Sequence, residues 1–330
     1  MKIIVDAMGG DYAPLEIVKG AALAVEELDV NIILFGNEDK IRQIIHENKL
    51  SEKNIEIVHT DKVISMEDDP LSVVKTHKDS SMGMAFCALV EGRGDALVSA
   101  GNTGAVLSGS TLIVKRIKGI KRAALGVILP FERKTLLIDA GANIEANAEC
   151  LKQFGVMGSI YMKNIFGIDS PTVGLANNGT EKTKGTPEHV QAYKLLSETK
   201  NINFIGNIEG KQIPINCSDV LVTDGFTGNM ILKFTEGFGS FMNKTLKNMF
   251  LKDTFSKISA VFVQKSLKEL KQKFDYAEYG GVPLFGVTKP VIKAHGNSNA
   301  KAVKNAIRQA KFCVDKKFVE EIKYQTEIDN

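Results

Sequence analysis

A largely parallel sheet covered by helices on both faces, an α/β/α sandwich, is the fold class this sequence predicts, and three observations predict it. Short apolar runs alternate with helical patterns over most of the 330 residues, as in chains of βαβ units. The composition, 44% hydrophobic and 25% charged, is that of a globular chain with a large core. Four of the apolar runs end in loops of Gly, Asn and Asp: Lys2 to Asp11, Ala96 to Ala105, Leu136 to Asn143 and Val220 to Asn229. The length permits one α/β unit spanning 1–330 or the same unit in two lobes.

The elements follow in order. Lys2 to Asp6 is a strand, and Pro14 opens a helix to about Leu28 with Leu15, Val18, Ala22 and Val25 on one face. A strand over Val30 to Phe35 follows, and Asn37 is placed to cap the next helix. Further strands are predicted near Ile55 to His59, Asp95 to Ser99, Ala123 to Leu129, Thr135 to Asp139, Thr172 to Ala176, Asn203 to Gly206 and Val220 to Thr223. Helices fill most of the gaps. Between Ser240 and Asp275 eight lysines face only Asp253, Glu269 and Asp275, a local charge of +5 against +3 for the whole chain. Phe250, Leu251, Phe255, Ile258, Val261 and Phe262 are interleaved with those lysines. The pattern predicts an amphipathic helical hairpin over 237–275, turning near Asp253 to Ser256 and protruding from the sheet.

Several classes are excluded. Met1 leads straight into the first strand, with no basic leader and apolar segment, and no run reaches the roughly 18 apolar residues of a membrane span, so the expected location is cytoplasmic. The four cysteines are isolated and the five histidines form no ligand spacing, so no metal is expected. No Gly-x-Gly-x-x-Gly follows the first strand, and Gly206 to Lys211 is one residue short of a Walker loop and lacks its Ser or Thr. A Gly-x-Ser-x-Gly elbow is absent as well, which disfavours serine hydrolase chemistry.

In open α/β sheets ligands bind beyond the carboxyl ends of the strands. Asp6, Ser99, Asp139 and Thr223 to Asp224 all close predicted strands, so four loops are expected to line one crevice. Glycine lets backbone N–H groups approach an anion, and helices starting after Gly104 and Gly228 add partial positive charge. The ligand this points to is the size of a phosphate. Any one of the loops, taken alone, is equally well an ordinary chain reversal.

Together, VDAMGGD, SAGNTGA, GNIEG, DGFTGN followed by Leu232-Lys233, the stretch Tyr279 to Leu284 and HGNSNAKAVKNAI (His295 to Ile307) resemble, in order and over nearly the whole chain, the PlsX family of acyl-ACP:phosphate acyltransferases. The resemblance implies transfer of a fatty acyl group from acyl carrier protein to inorganic phosphate, giving acyl phosphate for phospholipid synthesis. It implies a fold like that of isocitrate and isopropylmalate dehydrogenases and a homodimer. No cofactor and no nucleic acid are expected, and the acyl phosphate would go on to a membrane glycerol-phosphate acyltransferase.

The site expected on this basis has phosphate on Gly101, Asn102, Thr103 and Gly104, with Lys184 or Lys233 neutralising charge. Asn229 and the amides around Gly225 and Gly228 face the thioester oxygen. Asp6 and Asp224 orient those donors, with Gly9, Gly10, Asp139 and Asn143 in support. His295 donates to phosphate or protonates the departing thiolate. Bland readings stand beside these: His295 flanking a helix, Asp6 and Asp139 bonding turns, Lys184 solvated in its loop. The hairpin serves dimerisation, peripheral membrane contact or carrier docking, and Lys115, Arg116, Lys118, Lys121 and Arg122 form a second basic dock. A coenzyme A-dependent phosphotransacetylase remains the alternative activity.

Overall fold

Burial on both faces of most strands sets the architecture, since such strands need a helix layer above and below. The computed structural model describes residues 1–131, 133–215, 218–273, 278 and 280–328, apart from the side chains of 258, 261, 266, 267, 269–273 and 328. The chain begins β1 (Lys2–Asp6), α1 (Leu15–Leu28), β2 (Asn31–Gly36), α2 (Glu38–Glu47), β3 (Ile55–His59), α3 (Ser72–Lys75), α4 (Ser81–Val90), β4 (Ala96–Ser99) and α5 (Thr103–Gly109). A π-helical segment, Ser110–Lys115, prolongs α5. Next come β5 (Ala124–Pro130), β6 (Lys134–Ile138), α6 (Ala148–Phe166), β7 (Thr172–Asn177), α7 (Pro187–Glu198), β8 (Asn203–Glu209) and β9 (Val220–Val222). The rest is α8 (Gly225–Leu251), α9 (Thr254–Lys273), β10 (Gly281–Phe285), β11 (Val291–Ala294), α10 (Ala300–Asp315) and α11 (Phe318–Ile328).

Local chemistry starts the helices. Asn37 accepts from the Lys40 amide, Asn147 from Cys150, Thr186 from His189 ahead of Pro187, and Asn299 from Ala302. Alternation along the strands then divides the core. Ile3, Val5, Ile32, Leu34 and Val98 pack with α1, α6 and α10 on one face, whereas Ile4, Ile33, Phe35 and Leu97 pack with α4 and α5 on the other.

Among the described residues eleven strands form one sheet in the order β3-β2-β1-β4-β11-β10-β5-β6-β9-β7-β8. The first five are mutually parallel, and so are the last four. Between them β10 is antiparallel to β11 and to β5, and β5 is antiparallel to β6. Three reversals leave the two parallel sets running in opposite directions. Asp6 and Ser99 therefore close strands at one end of the sheet, and Asp139 and Thr223 at the other. By strand direction the loops leave the sheet at two opposite ends and not on a single rim, yet residues of all four, Asp11, Thr103, Gly141 and Asn229, line one cavity, as the crevice expectation had it.

The centre of the sheet is split. Strands β10 and β5 pair at Leu284 with Leu125 and Phe285 with Ala124. Beyond that, among the described residues, Gly281 to Pro283 pair with β11 and Gly126 to Pro130 with β6. Pro283, which has no N–H to offer a ladder, stands where the strands part.

Helix α8 is continuous from Gly225, so the first arm of the expected hairpin is an extension of the helix that begins at Asp224. It passes to α9 through Lys252 and Asp253. The last two residues of the expected hairpin, 274 and 275, lie outside the described residues. Among those described, no helix is long and apolar enough to cross a membrane.

Candidate functional site

A cavity of about 850 Å³ follows the split, with α8 along one side. Its polar end is formed by Asp11, Thr103, Lys233, Glu236, Lys293, His295 and Asn297, and Asn229 and Gly141 line it farther along. Leu125 to Ile128, Pro130, Leu232 and Gly280 to Pro283 supply most of the remaining wall.

Three loops build the polar end. The buried Asp6 carboxylate accepts from Ser81 Oγ at 2.6 Å, Ser99 Oγ at 2.8 Å and the Met8 amide at 3.3 Å, tying β1, α4 and β4 together. Burial pushes its pKa up, and the hydroxyl bonds act against that. A Cβ on Gly9 would lie 2.5 Å from Asp6 Oδ2 and 2.7 Å from the Gly101 nitrogen, so the β1 and β4 loops meet only because that position is glycine. The Asp11 amide donates to the Gly296 carbonyl at 2.7 Å, which ties in the loop after β11.

That junction surrounds Lys293, which the sequence reading overlooked. Its side chain is 7% exposed, and its Nζ lies 3.5 Å from the Ala100 carbonyl oxygen and bonds the Ala294 carbonyl. Burial lowers its pKa to about 8, with Asp11 and Asp6 pulling the other way. The signal in the sequence was one lysine inside Val291-Ile292-Lys293-Ala294, an apolar run in which a charge has no reason to sit unless it meets something.

Around Lys293 the residues are arranged unequally. Lys233 pairs with Glu236 at 2.8 Å, and Glu236 lies 4.0 Å from His295 Nε2. Burial, the largest influence, lowers the His295 pKa, and Glu236 opposes it. The imidazole is therefore neutral near pH 7, which favours accepting a proton over carrying one to the thiolate. Asn297 Oδ1 is buried without a hydrogen-bond partner, an unspent acceptor beside the cavity for a ligand hydroxyl.

Other expected donors are already committed. Asn102 Oδ1 caps α5 at Ala105, and its Nδ2 lies 3.1–3.2 Å from the Ser65, Met66 and Asp68 carbonyls. The Gly101 amide donates to Ser99 Oγ at 3.1 Å. A Cβ on Gly104 would meet Pro70, so this glycine serves packing. Of the Gly101 to Gly104 loop, Thr103 lines the cavity, and the Asn102 side chain is not available to a ligand.

The same holds after β6 and β9. Asp139 is buried and accepts from the amides of Leu125, Gly141, Ala142 and Asn143 and from Asn143 Nδ2, at 2.7–3.2 Å. Burial raises its pKa against those bonds. Asn143 Nδ2 also reaches the Ala123 carbonyl. Asp224 caps α8, accepting from the Thr227 amide and hydroxyl at 2.8 and 2.9 Å. The Gly225 amide donates to Asn143 O, and the Gly228 amide to Asp224 O. A Cβ on Gly228 would collide with the Asp139 carbonyl. Neither amide is free for a thioester, contrary to expectation: the Gly225 amide ties α8 to the 139–143 loop and the Gly228 amide is spent inside the helix, and Asn229 is the residue this packing presents to the cavity.

Lys184 lies apart. It is exposed in the loop after β7, its carbonyl accepts from Asn177 Nδ2 at 3.0 Å, and it does not line the cavity. Gly10, at φ +114°, shapes the β1 loop in a conformation glycine adopts freely. At the far end of α8 and on α9, Leu251 is 52% exposed and Phe255 and Phe262 each 84%. Phe250 is half-buried, and the Ile258 and Val261 side chains lie outside the described residues. A stripe that sequence reading missed, Phe226, Met230, Phe234, Phe238 and Phe241, is exposed along α8, with Phe234 stacked on Phe238 at 6.0 Å.

Comparison with known proteins adds the lineage. The family model described as fatty acid synthesis protein matches residues 1–321. The phosphate acyltransferase of Thermoanaerobacterium thermosaccharolyticum is 44% identical over 329 residues, covering 99% of this chain and 97% of the relative. The chain belongs to the phosphate acyltransferase family. A further member, from Acetivibrio thermocellus, is 46% identical over 98% of this chain and 96% of its own. Among solved structures, a phosphotransacetylase from Streptococcus pyogenes superposes with a TM-score of 0.65 at 16% identity, over 97% of this chain and 94% of that one, a likeness of fold. Family membership fits a cavity in which a buried cation stands at the head of an apolar recess.

Proposed function

We propose that this enzyme moves a fatty acyl group from the thioester of acyl carrier protein to inorganic phosphate, releasing acyl phosphate and the carrier thiol. The observation that carries the reading is Lys293, a buried ammonium at the polar end of a largely apolar cavity. Phosphate binds against Lys293, Thr103 and Asn297, with Lys233 adding charge. Desolvation strengthens each of these contacts.

A phosphate oxygen then attacks the thioester carbonyl. Its proton passes to neutral His295, the tetrahedral intermediate collapses with loss of the thiolate, and His295 returns the proton to sulfur. Asn229 donates to the oxyanion. Phosphate is itself the nucleophile, so positioning and charge stabilisation carry the catalysis, and positioning alone is worth about 7 to 11 kcal/mol. Lys184 has no part in this reading.

The exposed aromatic stripe on α8 supports a homodimer. The exposed Phe255 and Phe262 among the lysines of the hairpin support peripheral contact with anionic lipid, close to a membrane glycerol-phosphate acyltransferase that takes the product. The acidic carrier docks on the hairpin lysines or on the Lys115 to Arg122 cluster.

The test is direct. Purified protein with palmitoyl carrier protein and phosphate should yield acyl phosphate and free carrier thiol in equal amounts, and acetyl-coenzyme A should serve poorly. Transfer from acetyl-coenzyme A at a higher kcat/KM would move the assignment to a phosphotransacetylase. No acyl phosphate from either donor would end it.

A further inference from the structure

The split between β5 and β10 has a shape that the handling of phosphate does not require. Continuing the register of the Leu284–Leu125 pair would set Pro283 opposite Gly126 and Val282 opposite Val127, yet among the described residues the ladder between β5 and β10 ends at Leu284–Leu125. Apolar residues or bare glycine line both edges of the gap, Val127, Ile128 and Pro130 on one side and Gly281 to Pro283 on the other. Lys293 stands at one end, on the strand bonded to β10.

The other end is closed by a polar pair. Tyr161 on α6 and Gln309 on α10 line the cavity and come from the opposite face of the sheet to α8. The Tyr161 hydroxyl donates to Gln309 Oε1 at 3.2 Å, and the two residues are 1% and 8% exposed. Burial holds the phenol well above its usual pKa, so it stays a donor. Tyr161 cannot swing aside, because Phe166, Phe285 and Phe318 pack edge-on against its ring at 5.3–6.0 Å.

We propose that the gap between β5 and β10 receives the acyl chain of the substrate and that the Tyr161–Gln309 pair, fixed at its far end, limits the length of chain that fits. The proposal deepens the acyl transfer proposed above and rests on it for the identity of the substrate. Apolar walls favour each methylene that finds room by about fourfold in binding. A chain that reaches the pair gains nothing more, because further entry would break the Tyr161–Gln309 hydrogen bond and leave two buried polar groups unpaired. Selectivity should therefore rise with chain length and then fall sharply.

Two variants move the limit in opposite directions. Gln309→Ala removes part of the floor, and its ratio of kcat/KM for stearoyl over dodecanoyl carrier protein should rise at least fivefold above wild type. Val282→Phe fills the gap, and the same ratio should fall at least tenfold. Thermal unfolding of each variant checks that the fold is kept. Binding of a fluorescent polyene fatty acid supplies a readout independent of transfer and should weaken at least tenfold in Val282→Phe. If wild type transfers acyl groups but both variants keep its length profile and its fatty acid affinity, the gap is not the acyl site and the proposed function stands. If wild type forms no acyl phosphate, the proposed function fails, and fatty acid binding alone still decides for or against the gap.

Discussion

Replacing Lys293 by methionine should make the ligand-free protein more stable and the enzyme nearly inactive toward phosphate. Burial lowers the lysine pKa from 10.5 to about 8. At about 1.4 kcal/mol per pH unit, keeping it charged below pH 8 costs the fold about 3 kcal/mol. Between pH 8 and 10.5 the unfolded chain holds more of this proton than the folded chain, so the lysine's contribution to stability rises with pH across that window, and its deficit is complete below it. Methionine carries no such deficit and forfeits only the bonds to the Ala100 and Ala294 carbonyls, about 1 kcal/mol together. The variant should gain about 2 kcal/mol at pH 7, and the gain should vanish by about pH 10.5. Its kcat/KM for phosphate should fall at least about a hundredfold, equivalent to about 2.7 kcal/mol of lost transition-state binding. Urea unfolding at pH 7, 9 and 10.5, paired with hydroxylamine trapping of acyl phosphate, reads both effects. A variant that is less stable at every pH, or that keeps phosphate turnover within threefold of wild type, would refute the reasoning.

Three further outcomes are expected. Asp139→Asn replaces a carboxylate that accepts five hydrogen bonds with an amide that turns N–H toward N–H, and should cost about 2 to 4 kcal/mol in urea unfolding. The kcat/KM for phosphate should rise on an acid limb with a midpoint below 6.5, as His295 loses its proton, and fall above about pH 8 as Lys293 loses its own; His295→Gln should remove the acid limb alone. Phe255→Asp with Phe262→Asp should abolish salt-sensitive flotation with anionic vesicles while leaving turnover in solution within twofold of wild type.

How much of this was legible in the sequence follows from the range of the forces involved. The Asn37 cap, the extent of α1 and the strand at Ile55–His59 depend on neighbours a few residues away, and they stand where the pattern put them; the face of α1 does not, since Leu15 is exposed and Ile17, Ala21 and Ala24 join Val18 and Ala22 in the core. Strands β10 and β11 escaped notice because Pro283 and Lys293 interrupt runs of only four or five residues. The opposed directions of the two parallel sets arise from three antiparallel pairings, two between consecutive strands, β5 with β6 and β10 with β11, and one between strands distant in sequence, β5 with β10, which no local pattern announces. Loop composition marked Gly101 to Gly104 and Gly225 to Gly228 as close approaches of backbone. It gave no means of telling an amide that meets a ligand from one that meets Asp224 or Ser99. Lys293 was passed over for a related reason: its place in an apolar run was the one signal, a lysine in isolation reads as solvated, and only the β4 loop and Asp11 around it make it a buried charge.

A crystal structure with bound phosphate examines the central claim most directly. The anion should lie about 2.8 Å from Lys293 Nζ, in contact with Thr103 and at the head of the gap between β5 and β10. Phosphate held instead in the Lys184 loop, with Lys293 untouched, would contradict the account.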